Sequence, residues 1–220
     1  MKLDEVLRLL YSQSRVMKNE GQRYVVKCYG SSVGLKWYFI SSAFRTFPYV
    51  ASPETRMRRE LEFLTYPWTE IKVPRLIDFD LEEKCIVREY IEGNLPESPE
   101  SISTLGKVIR YIHDNSFVLG DTKLENFLVA DNIYVIDAEE AIVSDDLTLK
   151  AWDILVFALF ISYKYIQDLK LFEKTMQDFL RFYNPSHEVA LNIMSVRNFQ
   201  LLSLFPPIHL NIMRKIISEF

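Results

Sequence analysis

The segment VLGDTKLENFLVADNIYVIDAEEA, residues 118–141, places acidic and amide side chains at the ends of two short apolar runs. The runs FLVA (127–130) and IYVI (133–136) flank the dipeptide DN, so the segment predicts a β-hairpin with a tight turn. A hairpin brings its outer ends together. Asn126 precedes the first strand and Asp137 follows the second, so their backbones should lie about 5 Å apart.

The polar side chains of this segment suit a metal site with a proton acceptor beside it. Asn126 and Asp137 offer an amide and a carboxylate oxygen, which are ligands that Mg²⁺ or Mn²⁺ accepts together with water and phosphate. Asp121, on the loop before the hairpin, could take a proton from an attacking hydroxyl. Each residue alone is an ordinary turn residue. The set that includes Lys123, at these spacings, favours a functional site.

A helix upstream carries an inward-pointing carboxylate. The sequence SPETRMRRELEFL predicts a helix over residues 53–65 with Ser52 as its N-cap, and it should end near Tyr66, just before a proline. Glu60 lies on the apolar stripe of this helix rather than on its polar face. That stripe consists of Met57, Leu61 and Leu64.

Lys27 is a positively charged residue within the apolar strand sequence YVVKCY. Buried charges need partners of opposite sign, so a pair between Lys27 and Glu60 would satisfy both residues. The alternative is that Lys27 reaches solvent from an edge strand and Glu60 lies at the margin of its helix.

These residues occur in the order found in protein kinases: a strand Lys, a helix Glu, D-x-x-x-x-N, and an Asp after a hairpin. DTKLEN resembles the Ser/Thr-kinase catalytic loop D-L-K-P-E-N. The chain is more specifically similar to the RIO family and to the small kinase of the KEOPS tRNA-modification complex. The shared features are the Gly in LGD, the helix sequence RMRRE (56–60) and a short segment after the metal Asp. The resemblance covers roughly residues 20–165.

The resemblance implies an α+β, two-lobed protein-kinase-like fold. A reduced, β-rich N-lobe would span residues 1–91 and carry the helix 53–65. A helical C-lobe would span residues 92–220 and carry the catalytic loop and metal-site hairpin over 118–137.

The resemblance also implies a role for each matched residue. Lys27 would hold the α- and β-phosphates of ATP, and Glu60 would hold Lys27. Asp121 would be the catalytic base, and Lys123 would stabilise charge on the γ-phosphoryl group. The remaining roles are metal binding by Asn126 and Asp137, adenine binding by backbone groups near Glu89, Tyr90 and Ile91, and bracing of the catalytic loop by Asp153, whose local alternative is a helix N-terminal charge.

Several family features are missing. Gly21 is the only glycine before Lys27, so no G-x-G-x-x-G phosphate loop can be written. Leu119 and Gly120 replace the usual His-Arg before the catalytic Asp. The Asp-Phe-Gly triplet reads Asp-Ala-Glu at 137–139, and the 15 residues from 138 to 152 leave no room for a long activation loop. Control by loop phosphorylation is therefore not expected.

Three further titratable residues receive mainly structural interpretations. Glu139 and Glu140 are expected to be solvated, with metal binding as the alternative. His113 is expected to pack within its helix rather than to take part in chemistry.

The function that these motifs favour is an ATP- and Mg²⁺-dependent Ser/Thr protein kinase of the small atypical type, acting on a protein substrate and on itself. Three alternatives stay open: an ATPase or regulatory subunit of a larger complex, a small-molecule kinase, and a non-catalytic pseudokinase module. The D-x-K spelling favours a protein kinase over a small-molecule kinase.

The composition and charge of the chain indicate which classes of binding partner to expect. The chain has 220 residues, a net charge of −4 and 49% hydrophobic residues, which suits a core-forming domain or two lobes. Direct nucleic-acid binding is not expected, although Arg56, Arg58 and Arg59 form a basic cluster. The N-terminal fifteen residues lack the apolar region of a signal peptide. The apolar run 154–163 is shorter than the ~20 residues of a membrane span, so no membrane partner is expected.

Cys28 and Cys85 do not make a disulfide framework, so two reduced thiols in a cytoplasmic protein are the expectation. The remaining elements follow from periodicity and turn residues. They are a helical stripe at Leu3, Val6, Leu7 and Leu10, two strands joined at Gly21, strands in VPRLIDFD and KCIVREYI, a linker at 92–101, a helix at 105–113, and helices at about 150–182 and 186–220 with an interruption at 205–207.

Overall fold

A computed structural model describes residues 13–30 and 38–220 of the chain. Its N-terminal part is an antiparallel sheet in the order β1-β2-β4-β3, accompanied by one long helix. The elements of this N-lobe are β1 (Ser14–Asn19), β2 (Gln22–Cys28), α1 (Pro53–Thr65), β3 (Leu76–Asp80) and β4 (Cys85–Glu89), and residues 38–43 are also helical.

The C-terminal part, the C-lobe, is mainly helical and contains short β-ribbons. Its strands are β5 (Phe117–Val118), β6 (Phe127–Val129), β7 (Ile133–Val135) and β8 (Ile142–Val143). Its helices are α2 (Pro99–Asp114), α3 (Leu147–Lys164), α4 (Leu169–Tyr183), α5 (His187–Ile193), α6 (Phe199–Leu202) and α7 (Pro207–Ile217). The α+β, two-lobed architecture expected from the sequence is therefore present.

The first hairpin forms where the sequence predicts it. β1 pairs antiparallel with β2, and Asn19 lies opposite Gln22. The two turn residues, Glu20 and Gly21, both have positive φ angles, 48° and 85°. A two-residue turn of this kind matches the twist of the strands that it joins, and glycine adopts it without steric cost.

Helix α1 has the predicted bounds. Ser52 Oγ accepts a hydrogen bond from Thr55 N at 3.4 Å, and the helix ends at Thr65 with Tyr66 as its C-cap. Its apolar face packs on the sheet, where Met57 and Leu64 join Ile86 of β4 in a small buried cluster. The burial of this face fixes the direction in which Glu60 points.

Helix α3 is the centre of the larger core. It is buried on all sides except near its ends, so its amphipathic signal is weak, as expected for a helix surrounded by protein. Phe44, Phe47 and Tyr49 precede α1 in the chain but pack into this same core. The segment before α1 therefore ties the two lobes together, which the sequence does not indicate.

The hairpin of β6 and β7 forms where the sequence predicts it, but its register differs by one residue. Val129, not Ala130, lies opposite Ile133, so the turn consists of the three residues 130–132 rather than of Asp131 and Asn132 alone. Phe127 lies opposite Val135, and Ile136 N donates to Asn126 O at 2.9 Å. Asn126 consequently lies opposite Ile136, the residue before Asp137, at the open end of the hairpin.

The helix boundaries of the C-lobe differ from the prediction. Helix α2 begins at Pro99, because Ser98 caps it through a hydrogen bond from Ser101 N, so the supposed linker 92–101 is partly helical. The expected helix 150–182 is two helices, because Asp168 caps a new helix after a turn. The segment 186–220 is also divided, and the break at Pro206 is confirmed. The apolar stripe at Leu3, Val6, Leu7 and Leu10 lies outside the described residues.

The expectation of two reduced thiols is wrong, because Cys28 and Cys85 form a disulfide. The two residues lie directly opposite each other on β2 and β4, with Cα atoms 4.1 Å apart. Sequence spacing could not indicate this, because the pairing register of two strands 57 residues apart is a tertiary property. The cysteines therefore give no argument for a reducing compartment.

Among the described residues, no helix combines the length and apolar character that crossing a membrane requires.

We expect Gly106→Ala to destabilise the protein by about 1–3 kcal/mol, the usual cost of overpacking. Gly106 lies where α2 and α4 cross, and a Cβ atom there would overlap the carbonyl oxygen of Phe179. Lys107→Ala removes an exposed side chain from the next position of the same helix and should change stability by less than about 0.5 kcal/mol. Urea denaturation of both variants checks this. Equal midpoints for the two would contradict the close helix crossing.

Candidate active site

Lys27 is the central cation of the site. It lies on β2, is 2% exposed, and faces α1 rather than solvent. Its Nζ donates to Glu60 Oε2 at 2.5 Å and to Asp137 Oδ1 at 2.7 Å. Glu139 Oε2 lies 3.5 Å away. The expected Lys27–Glu60 pair is therefore present, and the alternative of a solvent-reaching Lys27 is wrong.

The charges around Lys27 decide its protonation. Burial alone would lower the pKa of Lys27, but the carboxylates of Asp137, Glu60 and Glu139 outweigh it and raise the pKa well above its usual range. Burial likewise opposes the ionised form of Asp137, yet Lys27 and Lys123 hold the pKa of Asp137 well below its usual value. Both groups are therefore charged at neutral pH.

Three carboxylates converge at this point. Oxygen atoms of Glu60, Asp137 and Glu139 lie within 4.8 Å of one another, close enough to share a cation. The ammonium group of Lys27 already occupies this space. A metal ion would have to bind on the other side of Asp137.

Asn126 offers an amide oxygen, Oδ1, as a ligand for such a metal. Its Nδ2 donates to Asp121 O at 2.7 Å, and no residue within 13–30 or 38–220 donates to its Oδ1. A carboxylate oxygen and an amide oxygen at the end of one hairpin are hard donors, so the residues fit Mg²⁺.

The catalytic loop holds the predicted base. Asp121 Oδ2 accepts from Lys123 Nζ at 2.6 Å, and both side chains are partly exposed. Gly120, just before Asp121, has φ +74°, and a Cβ atom there would lie 2.5 Å from the ring of Phe47. This close approach and the positive φ angle explain why glycine is required at position 120.

Asp153 of α3 holds the loop from below. Its carboxylate accepts from Leu119 N at 2.6 Å and from Gly120 N at 2.7 Å. Its backbone carbonyl accepts from Thr122 Oγ1 at 2.6 Å. Asp153 is fully buried and is therefore a brace for the loop rather than a solvated helix charge.

His113 completes this network. Its Nε2 lies 3.0 Å from Asp153 Oδ2, and its Nδ1 lies 2.8 Å from the Tyr183 hydroxyl. The expectation that His113 packs within its helix α2 is correct about burial, but the ring also links α2, α3 and α4 through hydrogen bonds.

A cavity of about 240 Å³ opens between the sheet and the hairpin. Glu89, Tyr90 and Ile91, the residues predicted near adenine, line it together with Asp137. Glu89 N already donates to Arg75 O at 3.0 Å, so backbone groups of Tyr90 and Ile91 are the ones left for a ligand. The cavity therefore joins the predicted hinge to the predicted metal site.

Solved structures of other proteins share this fold over most of the length of the chain. The choline kinase LicA from Streptococcus pneumoniae superposes with a TM-score of 0.55 at 15% identity, covering 99% of this chain and 98% of that one. WbdD, crystallised with a kinase inhibitor, superposes with a TM-score of 0.53 at 14% identity, covering 87% of this chain and 48% of that one. The chain has a protein-kinase-like fold.

Proteins related to this chain in sequence match a smaller part of it. A probable bifunctional tRNA threonylcarbamoyladenosine biosynthesis protein of Methanococcus maripaludis strain C6 is 35% identical over 111 residues, 46% of this chain and 20% of that protein. A protein of the same description from Methanocaldococcus jannaschii is 28% identical over 92 residues, 40% of this chain and 17% of that protein. The chain thus spans about a fifth of the length of the curated relatives it matches. No family model matches the chain.

Glu139 and Glu140 of this kinase-like chain are not solvated, contrary to expectation. Arg56 Nη1 donates to Glu139 Oε2 at 3.0 Å, and Arg59 Nη1 donates to Glu140 Oε2 at 2.9 Å. Both carboxylates are almost fully buried. The segment after Asp137 is therefore fastened to helix α1.

A third arginine lies on the other side of Glu60. Arg88 of β4 donates to the carbonyl oxygen of Ile136, and its guanidinium lies 4.0 Å from Glu60. Sequence reasoning assigned no role to Arg56, Arg59 or Arg88. The spacing does contain a signal for Arg56, because it lies four residues before Glu60 and so on the same inward face of α1.

We expect Arg56→Ala to destabilise the protein by about 3–5 kcal/mol, because it breaks a buried ion pair and leaves Glu139 with only the more distant Lys27, 3.5 Å away, as a cation. Arg58→Ala is the matched control on the same helix. The Arg58 side chain is 68% exposed, and Glu54 is its one ion-pair partner among the described residues, so its loss should cost less than about 1 kcal/mol. Chemical denaturation of the two variants measures the difference. A loss for Arg56→Ala no larger than that for Arg58→Ala would contradict the buried pair.

We also expect the stability of the protein to fall as the pH rises from about 5 to 8. Burial raises the pKa of Glu140 to about 8, although Arg59 opposes the shift, and Glu140 Oε1 accepts no hydrogen bond from the described residues. The folded state therefore keeps a proton that the unfolded state releases above pH 4.5. This group contributes a slope of at most about 1.4 kcal/mol per pH unit.

Glu140→Gln removes the titrating group and should flatten the dependence. Unfolding free energies at several pH values, compared between this variant and the unaltered protein, give the slope due to Glu140. Identical slopes would show that Glu140 does not titrate in this range.

Proposed function

We propose that this chain transfers the γ-phosphoryl group of ATP to a Ser or Thr hydroxyl of a protein, itself included, as a small atypical kinase. The observation that carries the proposal is the position of Lys27. A buried ammonium group held between a helix carboxylate and Asp137, which itself lines the cavity between the sheet and the hairpin, is the arrangement that orients ATP phosphates.

Each predicted residue has a place in this proposal. Lys27 binds the phosphates and Glu60 orients it, while Tyr90 and Ile91, with Glu89 beside them, border the adenine. Asn126 and Asp137 hold Mg²⁺ or Mn²⁺, which when bound neutralises charge on the phosphates. We place the boundary between the lobes at residues 91/92, so that ATP lies between them.

Asp121 and Lys123 act on the acceptor side. Asp121 accepts the hydroxyl proton as the oxygen attacks the γ-phosphorus, the bond from that phosphorus to the bridging oxygen breaks, and ADP leaves. Lys123, which forms an ion pair with Asp121, stabilises the charge that develops on the γ-phosphoryl group. Asp153 keeps both residues in place through the loop backbone.

The turn between β1 and β2 is too short to enclose phosphates as a glycine-rich loop does. It contains two residues, Glu20 and Gly21. Phosphate binding therefore depends on Lys27 and the metal ligands, and we expect weak ATP affinity.

A second candidate function is ATP hydrolysis as a subunit of a larger assembly. The 35% identity to tRNA threonylcarbamoyladenosine biosynthesis proteins favours it, because that match covers 46% of the chain. In that case water replaces the hydroxyl acceptor and a partner protein contacts the chain.

Labelled ATP with Mg²⁺ tests both candidates. Asp121→Ala and Asp137→Ala should each lower phosphoryl transfer at least about a hundredfold, because each removes a group that acts on the reacting atoms. Asp131→Ala is the matched control, since it removes an exposed carboxylate from the turn of the same hairpin. Protein labelling and phosphate release are measured separately, with and without generic protein acceptors.

The outcomes separate the candidates. Protein labelling that depends on Asp121 supports the kinase. Phosphate release without labelled protein supports the ATPase. Turnover that is unchanged in both variants, or absent from the unaltered protein, refutes phosphoryl transfer at this site.

A further inference from the structure

A second cavity, also of about 240 Å³, lies against the catalytic loop on the side of Asp121. Gly120, Asp121 and Lys123 form one wall. The opposite walls come from distant parts of the chain: residues 40–49 before α1, helix α3, and the segment 201–204. Among them are Ile40, Phe44, Trp152, Val156, Phe160 and Leu204.

The surface of this cavity is largely hydrocarbon, because its polar groups bond to one another. The Tyr49 hydroxyl donates to Gly120 O and accepts from Trp152 Nε1 at 2.9 Å. Lys123 pairs with Asp121 at 2.6 Å. An occupant therefore meets one carboxylate at the loop and apolar side chains elsewhere. This suits an apolar group attached close to a hydroxyl.

Phe160 connects this cavity to another depression, of about 270 Å³. The second depression follows the catalytic loop further, past Leu124 and Glu125, and is bordered by Leu95 and Lys164. Phe160 is 41% exposed and lines both. Two depressions in a row along one loop fit an extended peptide, whose side chains alternate along a strand. A small alcohol would need only the first.

The segment after Asp137 offers no binding surface to an acceptor, so the acceptor is expected at the cavity beside Asp121. Glu139 and Glu140 are buried against Arg56 and Arg59, so their side chains offer no surface to a peptide. The apolar cavity, in contrast, is open beside Asp121.

We propose that the acceptor is an extended peptide segment in which a bulky apolar residue lies within about three positions of the Ser or Thr. The hydroxyl meets Asp121, and the apolar side chain enters the cavity bordered by Phe44, Trp152 and Phe160. This inference rests on the proposed kinase function and adds its acceptor specificity.

An oriented peptide library tests the inference directly. Each peptide has a fixed Ser or Thr and randomised flanking positions, and the full chain phosphorylates the mixture with Mg²⁺ and ATP. We expect one flanking position to select Phe, Leu, Ile or Met over Ala, Asp and Lys on the order of tenfold, since burial of such a side chain is worth about one power of ten or more.

A pair of variants connects the selection to the cavity. Phe160→Ala should raise the peptide KM and abolish the apolar preference. Phe182→Ala is the matched control, because Phe182 is equally exposed at 41% but lies on α4, away from both depressions. It should leave the preference and the peptide KM unchanged. An apolar preference that survives Phe160→Ala overturns the assignment of the cavity.

The remaining outcomes distinguish this inference from the function on which it rests. Phosphorylation of peptides without an apolar preference overturns the inference and leaves the kinase intact. Transfer to free choline or glycerol but to no peptide also overturns it, and supports a small-molecule kinase. Absence of transfer to peptide, alcohol or water overturns both the inference and the proposed function.

Discussion

The buried ammonium group of Lys27 is the interaction on which the candidate site depends. It lies among Glu60, Asp137 and Glu139, whose oxygens approach one another within 4.8 Å. Without a cation at their centre, three carboxylates at that separation would repel one another and lose charge by protonation. Lys27, on β2, contacts helix α1 through Glu60 and the end of the hairpin through Asp137. The relative position of the two lobes is therefore coupled to the chemistry of the cleft.

Arginines extend this charge balance beyond Lys27. Arg56, Arg59 and Arg88 surround the acidic residues from α1 and β4, and the two acidic residues after Asp137 are thereby buried. The network holds α1 against the hairpin of β6 and β7 without a long intervening loop. A kinase-like site of this construction has its charged residues assembled in the resting fold. Regulation by ordering of an activation loop is not needed for assembly.

Particular residues show how far the sequence could predict this structure. The bounds of α1 and of the first hairpin follow from caps, turn residues and alternation, which are local, whereas the second hairpin is predicted in place but with its register off by one residue. The positions of Asn126 near Asp137 and of Glu60 beside Lys27 follow from those elements and from the cost of burying charge. The start of α2 at Pro99 and the turn before Asp168 were missed, because several polar residues in each segment could equally cap a helix. The burial of Glu139 and Glu140 and the Cys28–Cys85 disulfide were predicted wrongly.

Local patterns of residues specify most of the secondary structure, the order of the polar motifs and the identity of the charged residues that require partners. Which partners these residues have depends on how distant parts of the chain pack. Arg56 meets Glu139 across 83 positions of the chain, and residues 40–49 fold back on α3 to form the wall of the cavity beside Asp121. Such contacts depend on how lobes and strands pack, and packing is a property of the whole chain that no local pattern of residues encodes.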